Sequence, residues 1–112
     1  MRYQPRVELV HPMAFGLLPE PELDELNATD SRRRRALRRA ALLHNRFAFL
    51  VGQHRARSGM SVMAFAAKIG VEYEHASRLL HGAATLRLSD ITATEDLFGE
   101  SFSEELADFF RR

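Results

Sequence analysis

Cysteine is absent from the 112 residues, which excludes disulfides and thiolate metal sites. Long apolar runs are absent too. The longest, such as AFLV (48–51) and VMAFAA (62–67), fall far short of a bilayer's thickness. The opening MRYQPRVELV lacks the extended apolar stretch of a signal peptide, so a soluble, cytoplasmic protein with no membrane partner is expected. Strand patterning is almost missing. The five histidines, His11, His44, His54, His75 and His81, show no His-x-x-x-His or Glu-interleaved spacing. His75 and His81, six apart, fall on different faces of a helix, so no metal site is expected. There is no Gly-x-Ser-x-Gly setting for a nucleophile and no glycine-rich phosphate loop, so neither an enzyme nor a cofactor is expected.

The chain is of single-domain length, with an ordinary apolar fraction of 46%. Its formal net charge of +1 conceals a strong segregation. Residues 1–31 carry two arginines and six acids, residues 32–57 nine arginines and no acid, and residues 89–112 two arginines and seven acids. An arginine-rich stretch therefore lies between two acidic ends.

Helical periodicity dominates the rest. LPEPELDELN (18–27) predicts a short acidic helix opened by proline, and NATDS (27–31) a loop of capping residues. From Ser31 to Arg57, Leu37, Ala40, Ala41, His44, Phe47, Ala48 and Val51 recur at spacings of three and four, with a break near His44-Asn45 allowed by the pattern. Ser61 can cap a helix through Lys68, and residues 72–81 form the next, stopped by Gly82. Ser89 can cap another through Phe98, with Ile91, Thr94, Leu97 and Phe98 inward. Ser101 or Ser103 can open a terminal helix with Leu106, Phe109 and Phe110 on its apolar side. The expectation is an all-α fold of five or six helices: an N-terminal extension over 1–30, then a helical domain over 31–112.

The stretch AFAAKIGVEYEHASRLLHGA (64–83) breaks one helix at Gly70 and starts another at once. Glycine can adopt the positive φ that such a corner needs. Ala66 is small enough for a close crossing, and Phe65, Ile69, Val71, Ala76, Leu79 and Leu80 can anchor the pair to a core. Tyr73, Glu74, His75, Ser77, Arg78 and His81 are then expected on the outer side, on a helix sized for the DNA major groove.

Residues 60–99, MSVMAFAAKIGVEYEHASRLLHGAATLRLSDITATEDLFG, resemble the helix-turn-helix of the phage Cro and lambda-repressor type, the xenobiotic-response-element family. The matching positions are Ser61, Phe65-Ala66, Gly70-Val71, Ala76-Ser77-Arg78, His81-Gly82 and Phe98-Gly99, and NRFAFLVGQHRARSG (45–59) supplies the family's first helix. The likeness covers about residues 45–99 and leaves the first 44 outside it. It implies a lambda-repressor-like DNA-binding domain, often dimeric, with motif 61–82. It implies base contacts at Tyr73, Glu74 and Arg78, with His75 and Ser77 beside them, and phosphate contacts at Ser61 and Arg87. Three positions depart from the family pattern. Val62 stands where Gln is usual, Glu72 where Ser or Thr caps the helix, and the loop AATLR (83–87) has one cation where the family's loop is basic.

The arginine run offers further phosphate contacts through Arg32, Arg33, Arg34, Arg35, Arg38 and Arg39. The competing reading pairs these arginines with the acidic segments 20–30 and 95–108. The function expected is a sequence-specific DNA-binding regulator, a repressor of phage or mobile-element type, whose partner is double-stranded DNA. The alternative is a protein-binding antitoxin or adaptor that keeps the helix-turn-helix fold, its acidic, aromatic ends suited to a basic partner. Phe109 and Phe110 either pack on the domain, MAFGLL (13–18) included, or form part of a homodimer interface through the terminal segments.

Overall fold

Capping side chains and glycines set the helix ends. Ser31 Oγ accepts from the Arg34 N–H at 3.1 Å, and Ser61 Oγ from the Ala64 N–H at 3.0 Å. The computed structural model describes residues 2–24 and 31–111. These described residues form five α-helices: α1 Arg32–Ser58, α2 Val62–Ile69, α3 Tyr73–Leu80, α4 Leu88–Phe98 and α5 Glu100–Ala107. Short 3-10 turns lie at Pro5–Glu8, Pro12–Ala14 and Asp108–Arg111. Among the described residues the only β pairing is a single antiparallel bridge between Leu9 and Leu23. No helix there is long and apolar enough to cross a membrane.

Helix α1 runs unbroken through His44-Asn45, about 40 Å at 1.5 Å per residue. The break allowed by the sequence does not form because both side chains bond to other segments instead of competing with the helix backbone. Asn45 Oδ1 accepts from the Gly16 N–H at 2.7 Å and its Nδ2 donates to the Leu18 carbonyl at 2.9 Å. His44 Nε2 lies 2.7 Å from the Leu79 carbonyl. One side of α1 gives Phe47, Leu50 and Val51 to a core completed by Phe65, Ala66 and Ile69 of α2, Ala76 and Leu79 of α3, and Phe102 and Leu106 of α5. Ala40, expected inward, is exposed.

Three boundaries differ from expectation. No helix forms over residues 19–24. Glu20 precedes Pro21, which disfavours helical backbone there, and the segment's polar groups bond elsewhere: Val10 N–H to Glu22 O at 3.0 Å, Asp24 N–H to Glu8 O at 2.8 Å. Residues 25–30, the rest of the predicted acidic helix and most of its loop, lie outside the described residues. Helix α4 starts at Leu88, not after Ser89, because Asp90 reaches back to accept from the Arg87 N–H at 3.0 Å. Helix α5 starts directly after Gly99, ahead of both expected serine caps. Of the two terminal rings, Phe109 is buried, with Arg39 5.0 Å above it, whereas Phe110 is exposed.

The N-terminal extension is built into the body. Leu9 and Phe15 are buried against Ala48 of α1 and touch Leu80 of α3. Glu8, 1% exposed, accepts from Tyr3 Oη at 2.7 Å and from Arg34 Nη2 at 2.7 Å. Burial, and then the bond to the charged Glu8, push the Tyr3 hydroxyl well above its ordinary pKa.

Candidate nucleic-acid interface

The corner between α2 and α3 takes three residues, Gly70 to Glu72. Gly70 has φ 76° and ψ 32°, left-handed backbone that other residues adopt only at a cost. Its N–H bonds to Ala67 O and the Val71 N–H to Ala66 O, which closes α2 in a Schellman motif. Val71 and Ile69 then turn into the core, and α3 leaves with Ala76 and Leu79 buried beneath it. Glu72 makes no capping bond, so the first N–H groups of α3 are open to solvent or a partner.

The opposite side of α3 is polar. Tyr73, Glu74, Ser77 and Arg78 line one shallow, open cleft. Tyr73 is 49% exposed, Glu74 and Arg78 are exposed, and Ser77 is half-buried at the edge. The face thus presents a guanidinium, a carboxylate, a hydroxyl and a phenol together. These donors and acceptors suit the edges of bases or a polar protein surface.

His75 is a correction to the expected outer face. It is half-buried and turns toward α4, with Nε2 3.2 Å from Asp90 Oδ1. Asp90 is 2% exposed, and this imidazole and Arg87 are the side chains against its carboxylate. Arg87, its side chain 60% exposed, reaches the same pair: its Nη2 lies 2.7 Å from His75 Nε2 and its Nε 3.6 Å from Asp90 Oδ2. Nε2 can accept from Arg87 only without a proton and donate to Asp90 only with one, so the two contacts are alternatives. Ser61 is exposed, and its hydroxyl caps α2.

The arginines of the run have different surroundings. Arg34 is ion-paired with the buried Glu8, an acid outside both segments considered from the sequence. Arg39 lies over the Phe109 ring, Arg38 is half-buried, and Arg32, Arg33 and Arg35 are exposed along the first turn of α1. Among the described residues, no three histidine or acidic side chains converge to hold a metal ion.

The end of α3 carries the part that sequence patterning missed. Gly82 has φ 71°, and the Ala83 N–H bonds to Arg78 O at 2.9 Å. Its carbonyl accepts from the Arg6 N–H at 3.0 Å, and the Phe15 ring lies against its Cα. The carbonyl of Leu80 faces Gly16, and that of Leu79 is held by His44. Burial against Phe15, whose ring meets the imidazole edge-on at 4.9 Å, lowers the His44 pKa to about 4, overcoming the opposing pull of the Leu79 carbonyl and of Asp90. The ring is therefore neutral at pH 7, and Nε2–H donates to Leu79. The N-terminal segment and α1 together fasten the last turn of α3.

These observations define a small all-α domain that projects a short polar helix from an apolar body. No family model, curated protein or solved structure matches the chain.

Proposed function

We propose that this protein is a sequence-specific DNA-binding transcriptional regulator, a cytoplasmic repressor of the phage or mobile-element type, that lays α3 in the major groove. The observation that carries the reading is the solvent-facing cluster of Tyr73, Glu74, Ser77 and Arg78, held out from the core by the corner at Gly70. An α-helix fits a groove about 12 Å wide. There Arg78 donates in pairs to guanine O6 and N7, and Glu74 accepts from cytosine N4. Tyr73 meets a thymine methyl or a phosphate. Ser61 and the open N–H groups at the start of α2 meet the backbone alongside, where helix N-termini favour phosphate. Arg32, Arg33 and Arg35 add sequence-independent attraction. The exposure of Phe110 supports a homodimer through the terminal segments.

Selection from randomised duplexes, followed by anisotropy titration, tests this. Wild-type protein enriches a defined site, and Arg78→Ala loses about 1–3 kcal/mol of discrimination at one base pair. If Arg78→Ala and Tyr73→Ala both bind the enriched site like wild type, α3 is not the reading element.

A second reading has its own support: Glu72 and Glu74 flank the exposed Tyr73, and Met63 is exposed on α2. That surface suits a basic protein partner, as in an antitoxin or adaptor. Absence of DNA binding even at low salt favours this reading over the first.

A further inference from the structure

The loop that leaves α3, residues 83–87, contains one cation, Arg87, and its guanidinium is engaged with His75 and Asp90. A cation from the other end of the chain stands beside the same loop. Arg2 is exposed, forms no ion pair among the described residues, and with Tyr3 lines a cleft of about 220 Å³ walled by Ala83, Ala84 and Thr85. The backbone behind it is fixed. Tyr3 is tied to the buried Glu8, Pro5 is buried, and the Arg6 N–H bonds to the Gly82 carbonyl.

We propose that Arg2 is a phosphate-contacting residue that flanks α3 at its C-terminal end; the inference rests on α3 being the DNA-reading helix. The electrostatics of that end call for a cation. The last carbonyls of α3 carry the negative pole of the helix dipole. Within the loop the single cation, Arg87, contacts Asp90, so a phosphate there gains from a further positive group. Arg2 lies where that group is needed, and the ordered Tyr3–Arg6 backbone limits what its immobilisation costs. Phosphate contact carries no base information, so Arg2 adds affinity equally on all duplexes.

The test uses the full chain and two labelled duplexes, one of mixed sequence and one enriched by selection, titrated between about 50 and 200 mM salt. Arg2→Ala is expected to weaken binding to both duplexes by the same factor and to reduce the slope of log K against log salt by about 0.9. Preference for the enriched duplex stays at the wild-type value. Arg111→Ala removes one charge from the far terminal turn and controls for net charge; it is expected to leave the slope unchanged. An unchanged slope for Arg2→Ala, or equal losses in both variants, overturns the assignment while leaving α3 as reader. Failure of the wild type to bind either duplex overturns both.

Discussion

The ring of Phe15 occupies the space that a side chain at Gly82 would need: a Cβ there would lie 2.6 Å from the ring's Cγ. Gly82 is thus held to glycine twice, by its left-handed φ of 71° and by a residue 67 positions earlier. Gly82→Ala is expected to destabilise the fold by about 3 kcal/mol, the sum of backbone strain and overpacking. Urea unfolding measures it. In a double-mutant cycle, Phe15→Ala combined with Gly82→Ala costs less than the two single changes added, because the small residue at 15 relieves the clash. Strict additivity would show that the ring does not constrain Gly82.

His44 makes stability depend on pH. Its pKa is near 6.5 in the unfolded chain and about 4 in the fold, so between these values the unfolded state binds the extra proton. The stabilisation is complete above pH 6.5 and is lost as pH falls toward 4, amounting to about 3 kcal/mol over that window. His44→Gln keeps a donor for the Leu79 carbonyl and removes the titration. Urea midpoints measured at several pH values are expected to fall more steeply for wild type than for this variant. Parallel curves contradict the assignment.

Arg34 and Tyr3 both bond to the buried Glu8 carboxylate. Replacing Arg34 with Met leaves a carboxylate in the interior with one hydroxyl donor and is expected to cost about 2–3 kcal/mol, less than for a fully enclosed pair because Arg34 is partly exposed. Adding Glu8→Gln to Arg34→Met removes the stranded charge and recovers part of that loss. Chemical unfolding of the two variants checks the order.

Removal of residues 1–24 tests whether the extension is part of the body. Leu9 and Phe15 each contribute about 2 kcal/mol by burial, and Asn45 loses both partners. The thermal midpoint is expected to drop by more than about 10 °C. A truncated chain that melts like wild type contradicts the packing described.

Much of the helical domain was legible because its signals are local. Ser31, Ser61, Gly59, Gly70 and Gly82 act on their own helix ends, and each helix carries its apolar period. The extension was not legible for a matching reason. Four prolines interrupt it, and it meets α3 through the backbone groups of Gly82 and Leu80, to which no side-chain pattern points. His75 sits at an outward-looking register, yet a buried Asp90 fifteen residues later draws it in. Composition does not tell how the cations of the arginine run are placed. Arg34 reaches the buried Glu8 and Arg39 the Phe109 ring, contacts set by where α1 meets its neighbours.

An amide NMR titration with the selected duplex tests most directly whether α3 meets DNA with its outer face. The expected result is that shifts and broadening concentrate at Tyr73, Glu74, Ser77 and Arg78, reach Ser61 and the loop at 83–85, and leave α5 quiet. Perturbation confined to α4 and α5, or none at low salt, contradicts it.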